Sequence, residues 1–499
     1  MDVMQATPRD PWWSKRNPMR TAALTCVSRP GGIVAFLAAL GGCVLVSACT
    51  ASAEDVRPPE DQLFFPSGLA VYPRGNVLFV ANANSELRYD SGSIGVIDLK
   101  KVQNLIDRAS DPTTADLLGS CSEDPDHRET LNCEQAGDFL TKGAGVRIGN
   151  FATDIALQDF ETKVRLIVPT RGDPSIAWAD YVDERLTCTS GSAGFSLCDD
   201  AHRLATLQND PANPPIPDEP FGVFADAGPA GADGSYDHGF AMVTHLTDSA
   251  VTLIDSPANG DAQIADVRRN LFAADPTTGL RGATGIAGRL QGVDNDAIVY
   301  VGSRTEDRIQ TFTIGRPANN ALPYLLPSEF FFLDVVGGNP GVGGSTDTRG
   351  MQFSPTGDRL YVVNRRPPSL SIIDTSIAPG QGTPSNVSSG ASDICRQAST
   401  IKVFGAGEDE RAYITCFQDG QIYVVDPRGQ SQVEDIITVG RGPYSVTALT
   451  YPSTVPKLPQ RSLLFVSNFL EDTIAVVDVT PTSATRNRVV LRIGKPRAP

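Results

Sequence analysis

One hairpin recurs seven times along this chain, and a repeat of that kind constrains the fold more than any single motif can. Its clearest copy is Arg461–Asp478. An apolar run ends in Ser467-Asn468, a polar turn follows, and a second apolar run ends in Val477-Asp478. Both runs are strand-length and rich in Val, Ile, Leu and Phe. Asn468 and Asp478 stand ten positions apart where the chain leaves each strand, and such side chains satisfy local backbone donors there. The same spacing separates Asn364 from Asp374, Cys416 from Asp426, His245 from Asp255, Ser303 from Thr313 and Thr170 from Asp180. The first copy, Asn82 to Asp98, has a longer turn. Each copy has a smaller apolar segment upstream. Gly68-Leu69-Ala70, Arg349-Gly350-Met351 and Tyr444-Ser445-Val446 are three of these, and Ser392-Asp393-Ile394-Cys395 is read as the one for the sixth copy. Several copies also have a downstream strand, such as Phe330–Val336 and Val489–Ile493. Four antiparallel strands repeated seven times predict an all-β fold, a seven-bladed β-propeller of four-stranded antiparallel blades with loop insertions.

Ser67-Gly68-Leu69-Ala70-Val71-Tyr72-Pro73-Arg74-Gly75-Asn76 followed by Val77–Asn82, and Gly350–Asn364, resemble the repeat of the YVTN-type seven-bladed propellers. The resemblance is strongest in blades 1, 5 and 7 and covers most of the chain after about residue 62. It implies a fold and says little of activity, because one propeller scaffold hosts many functions.

The chain before the repeats reads differently. Basic residues Lys15, Arg16, Arg20 and Arg29 precede the apolar run Ile33–Val46, which is short for a membrane span and of signal-segment size. Val46-Ser47-Ala48-Cys49 is similar to a bacterial lipobox. Residues 1–48 are therefore expected to be a lipoprotein signal peptide, Cys49 the lipidated residue, 49–61 a tether, and 62–499 the propeller. That places the protein in the cell envelope, in the outer membrane or facing the periplasm, with the membrane as one partner through the N-terminal lipid. Beyond Cys49 six cysteines remain, an even set that suits an exported, disulfide-bonded chain. The expected pairs are Cys121–Cys133, Cys188–Cys198 and Cys395–Cys416.

The net charge of −16 argues against nucleic acid as a partner, since phosphate contacts need a basic surface. The segments 100–149 and 184–219 are longer than propeller connections need, and long loops on a rigid scaffold often carry function. Phe330-Phe331-Phe332 is read as an edge strand buried under the preceding loop, with a docking patch as the alternative. No nucleophile elbow, zinc helix or phosphate loop appears, and only four His are present, so no metal and no cofactor is expected.

Strand direction alone suggests where a site would lie. The residue before a blade's first strand and the residue after its second share one face. Arg281, Arg349, Arg441, Asp154 and Asp393 fall in the first group, and Arg171, His245, Arg304, Arg365 and Arg366 in the second. Guanidinium groups converging there would suit an anion. The expected ligand face is Arg281 and Arg349 with Asp154 and Asp393, with His245 peripheral. The predicted function is a lipid-anchored binding or scaffold module for an envelope protein, a glycan or a small anionic ligand. The alternative is a lactonase-like hydrolase of a small anionic compound at the channel mouth, with no catalytic residue assigned.

Overall fold

The computed structural model describes residues 56–498 apart from 73, 111–118, 190–193, 208–211, 230–237, 292–294, 318–320, 334–345 and 456–459. The expected signal peptide, the lipobox-like run and Cys49 lie outside the described residues. Val56–Asp61, the end of the expected tether, lies against the domain: the Asp90 amide donates to the Val56 carbonyl, and the Gly143 amide donates to the Glu60 carboxylate.

Seven antiparallel sheets follow one another, each built outward from an inner strand. The inner strands are Pro66–Tyr72, Ala156–Asp159, Pro220–Asp226, Ala283–Arg289, Thr348–Phe353, Ala398–Phe404 and Pro443–Pro452, for blades 1 to 7. The predicted hairpins form the second and third strands of every blade, as in Gln460–Asn468 with Thr473–Asp478. Apolar residues of neighbouring blades share each core. One such cluster joins Tyr361 and Val363 of blade 5 to Ile401 and Ile414 of blade 6. No blade covers both faces of its own sheet, so closure of the ring is a condition of stability.

The ring closes where Leu69, Leu78 and Val80 of blade 1 pack on Leu449, Leu463 and Phe465 of blade 7, and the first insertion covers that seam. Residues Leu99–Ala109 form a helix whose first turn is capped by the Asp98 side chain, which accepts from the Lys100 amide at 2.9 Å. Leu99, Val102 and Ile106 face the core at helical spacing. Asp107 is buried and accepts from the Tyr451 hydroxyl at 3.0 Å and the Thr454 amide at 2.8 Å, which ties the helix to blade 7. Leu131–Cys133 then pairs in parallel with the last strand, Arg488–Ile493, so blade 7 carries six strands, two of them supplied from blade 1. Cys133 is bonded to Cys121. The second insertion splits the outer strand of blade 2 into Arg185–Thr187 and Arg203–Leu204, both paired to the third strand and separated by the Cys188–Cys198 disulfide. Cys395–Cys416 is the third disulfide. All three pairings expected from the sequence are present, and they mark an exported, non-cytoplasmic protein. Among the described residues no helix is long and apolar enough to cross a membrane.

Two readings need correction. The inner strand of blade 6 is Ala398–Phe404, and Asp393 ends the outer strand of blade 5, where it pairs with Ser369. Cys395 precedes the inner strand and still reaches Cys416, because Ala398 pairs with Cys416. The Phe330 side chain, in the outer strand Tyr324–Phe332, is 56% exposed rather than buried.

Candidate functional site

The mouth of the channel is built by two turns of backbone that recur in every blade. At the end of each second strand, one residue donates its amide to the carbonyl of a residue just before the inner strand. These are Ala83 to Phe65, Arg171 to Phe151, Leu246 to Glu219, Arg304 to Gly282, Arg365 to Asp347, Phe417 to Gln397 and Phe469 to Gly442. The bond fixes the residue after the second strand at the rim, so the identities at that position decide the rim's chemistry. Blades 2, 4 and 5 supply arginine, and blades 6 and 7 supply phenylalanine.

Just inside the rim, each inner strand carries a bulge. In blade 5 Thr348 pairs with Asn364 and Met351 with Val362, so three steps on one strand match two on the other. The same offset occurs in blades 1, 3, 4, 6 and 7, and in blade 2 between the Ala152–Thr170 bridge and the Ala156–Ile167 pair. A bulge re-aims side chains. The first bulged residues include Phe221, Arg349 and Tyr444, and all three line a cavity of about 950 Å³ that runs along the channel. The second bulged position is glycine in blades 1, 3, 4 and 5 because the next blade approaches it. A Cβ on Gly350 would stand 2.8 Å from the Thr400 Cα. Hydroxyl groups bridge the blades at this level, as in Thr153 to the Phe221 carbonyl at 2.6 Å and Thr400 to the Tyr444 carbonyl at 2.7 Å.

Four arginines meet at this mouth, and they differ in their partners. Arg349 makes a two-point contact with Asp347, at 2.8 and 3.0 Å, and lies 5.6 Å from the centre of the Phe221 ring. Arg171 pairs with Glu219 at 2.8 Å. Arg365 donates only to neutral acceptors, the Ala398 carbonyl at 2.7 Å and the Ser399 hydroxyl at 2.9 Å. Arg304 donates a long bond to the Leu246 carbonyl at 3.4 Å. Among the described residues neither Arg304 nor Arg365 forms an ion pair. Burial, then the neighbouring Arg349, pushes the Arg365 guanidinium down to about 10, and the same two causes lower Arg304.

Asp154 occupies the second bulged position of blade 2. Its oxygens accept from the Ile155 amide at 2.8 Å and the Val223 amide at 3.3 Å. Burial pushes its carboxyl up to about 6 against those two donors. The Tyr444 phenol is raised by burial first and then by Asp154. Phe417, Tyr444 and Phe469 pack against one another at tilted to edge-on angles, with ring centres 5.9–6.3 Å apart, and the Tyr444 phenol lies within electrostatic reach of Arg349, Arg171 and Arg365.

Of the four residues expected to bind, Arg349 and Asp154 line the cavity. Arg281 lies at the same end of the disc as Arg349, one residue before Gly282, but it is exposed and does not line the cavity. Asp393 is exposed on the outer strand of blade 5, so it does not join them. His245 is buried in blade 3 between the Asp218 carbonyl and the Thr252 hydroxyl, with its imidazole pushed down to about 4 by burial. Phe417 and Phe469 were missed by the sequence reading. Their signal was positional: each stands at the second-strand end where blade 5 carries Arg365. Among the described residues no group of three His, Cys, Asp or Glu is placed to hold a metal.

No protein-family model matches the chain, and no curated protein matches it. Solved structures similar to it include the periplasmic gluconolactonase of Pseudomonas aeruginosa, at 14% identity over 74% of this chain and 84% of that one, with a TM-score of 0.45. Another is a putative 6-phosphogluconolactonase from Bacteroides fragilis, at 12% identity over 76% and 86%, with a TM-score of 0.44. A third is the β-propeller domain of Cps50 from Myceliophteria thermophila, at 10% identity over 85% and 98%, with a TM-score of 0.45. Likeness at this level transfers no activity, and the propeller assignment rests on the strand pairing itself.

Proposed function

We propose that this exported propeller is an envelope binding module whose channel mouth takes a small anionic ligand. The observation that carries the reading is the surplus of guanidinium at the mouth. Arg304 and Arg365 are half-buried, beside Arg349, and have no carboxylate partner among the described residues. Like charges held together out of water are costly, and an anion relieves both the repulsion and the lost hydration. The guanidinium fork suits carboxylate or phosphate, and the aromatic side of the mouth suits a flat or apolar portion of the same ligand. The wider form of the reading is a glycan or envelope protein that presents such an acid group. Membrane attachment through Cys49, and the YVTN-type kinship of the repeats, belong to the same proposal and rest on the sequence.

Calorimetric titration with inorganic phosphate, gluconate and citrate tests it. Wild type is expected to bind at least one of the three, and Arg365→Ala to weaken that binding by about tenfold or more, the equivalent of ~1.4 kcal/mol. Equal binding by both proteins, or no binding by wild type, contradicts the reading.

A second reading, a hydrolase of small anionic compounds, is supported by one observation. A carboxyl pushed up to about 6 and facing the channel has the proton affinity of a general acid or base. Lactone hydrolysis that rises or falls through pH 6 and disappears in Asp154→Asn would support it. Identical rates in wild type and Asp154→Asn would reject it.

A further inference from the structure

Deeper in the channel, strand register sets residues at common levels. The pairing that matches Gln352 with Tyr361 in blade 5 matches Ala70 with Phe79, Ala287 with Tyr300, Lys402 with Tyr413 and Thr447 with Phe465. Ala156 and Phe224 occupy the same level in blades 2 and 3. Lys402 is thus the one cation in a ring of seven residues that has no carboxylate. The level above it is aliphatic in every blade, from Leu69 in blade 1 through Met351 and Ile401 to Val446 in blade 7.

Lys402 lines the cavity and is half-buried. Among the described residues its ammonium has no hydrogen bond and no ion pair. Gln352, beside it in the ring, turns its oxygen to the Val403 amide at 2.8 Å instead. Burial alone lowers the amine from its ordinary value, with no carboxylate to restore it. A compact, strongly hydrated cation has no structural reason to sit there, whereas a desolvated lysine is the usual form of a nucleophilic amine.

We propose that Lys402 is a carbonyl-trapping site, at which an aldehyde or ketone entering the channel forms an imine with the lysine. In this step the lone pair of the neutral Nζ adds to the carbonyl carbon. The two Nζ protons leave with the carbonyl oxygen as water, and a carbon–nitrogen double bond replaces the carbon–oxygen one. No oxidant or metal is needed. The site stands apart from the mouth arginines and does not depend on the anionic reading.

Reductive trapping tests it with a neutral probe, so that the mouth plays no part. The folded protein is treated near neutral pH with butanal and cyanoborohydride, which delivers hydride to the imine carbon while water protonates the nitrogen. The alkylated lysines are then mapped by mass spectrometry. In wild type the first adduct is expected on Lys402, ahead of the surface residues Lys100, Lys101 and Lys142. Lys402→Met and Lys402→Arg are expected to lose that first adduct with an unchanged melting temperature. Labelling of Lys100, Lys101 or Lys142 before Lys402 in wild type overturns the proposal, and that measurement decides even if a variant fails to fold.

Discussion

Asp154 stands where blades 1, 3, 4 and 5 carry glycine, and the substitution changes what the bulge does. The next blade comes close enough at this position to exclude a Cβ in blade 5, yet in blade 2 its Val223 amide donates to the carboxylate. The charge has been taken out of water for two neutral donors and no cation, which raises the proton affinity. A carboxyl whose folded value is about 6, above the ordinary ~3.9, binds its proton more tightly when folded. Its contribution to stability is complete below about pH 4 and is lost as pH rises through 6. Asp154→Asn is therefore expected to equal wild type at pH 4 and to exceed it above pH 6, by on the order of 1–2 kcal/mol after allowance for partial exposure. Chemical denaturation at the two pH values checks this, and a constant difference between them would refute it. Arg165 presents the opposite case. It is fully buried, contacts both oxygens of Asp180 at 2.7 and 3.0 Å, and stacks on Trp178 at 4.2 Å. Arg165→Ala leaves Asp180 with Lys163, at 2.6 Å, as its remaining cation and empties the space beside Trp178, and is expected to destabilise by roughly 2–4 kcal/mol in the same assay.

The bulged inner strand is the element that turns a repeat into a site. Its tightness is testable at Gly350, where a methyl group would meet backbone atoms of blade 6 at 2.8 and 2.9 Å. Backbone cannot step aside as a flexible side chain can, so Gly350→Ala is expected to cost about 1–3 kcal/mol and to lower the melting temperature. A variant as stable as wild type would mean that the blades pack more loosely than the register implies. The added strand Leu131–Cys133 carries a different expectation. It is held by the Cys121–Cys133 disulfide and by the Thr130 hydroxyl on the Val489 carbonyl at 2.6 Å. Paired Cys121→Ser and Cys133→Ser substitution should destabilise by about 2–3 kcal/mol and increase hydrogen exchange first in Arg488–Ile493, the strand it covers. Uniform exchange along the chain would argue that the added strand does not protect the seam.

At the scale of the whole molecule, the fold was legible because a propeller repeats its own evidence. Seven hairpins at near-constant spacing fix blade number, strand direction and the shared face of the rim. The rim arginines Arg171, Arg304 and Arg365 were legible for the same reason, since each stands at a second-strand end. What was not legible lay between repeats. Ser392–Cys395 is apolar enough to pass for an inner strand, and only the pairing of Ala398 with Cys416 shows that it precedes one. Asp393 moved away from the mouth with that shift. The helix at Leu99–Ala109 and its strand at Leu131–Cys133 serve blade 7 from a segment belonging to blade 1, a long-range relation that no local pattern encodes. The aromatic rim was hidden because Phe417 and Phe469 look like ordinary strand residues until their amide bonds to Gln397 and Gly442 are seen. The disulfides mark an exported chain. On the further proposal of an anchor, Cys49→Ala should move the protein from the membrane fraction to the soluble one, and unchanged fractionation would remove it.

If the mouth is an anion site, selenate will occupy it in a crystal grown with that ion. An anomalous selenium peak is expected between the guanidinium groups of Arg349 and Arg365, within hydrogen-bond reach of both, with no such peak in Arg365→Ala. A mouth without selenate in wild-type crystals that carry it on the outer surface, with Arg349 and Arg171 bound only to Asp347 and Glu219, would contradict it.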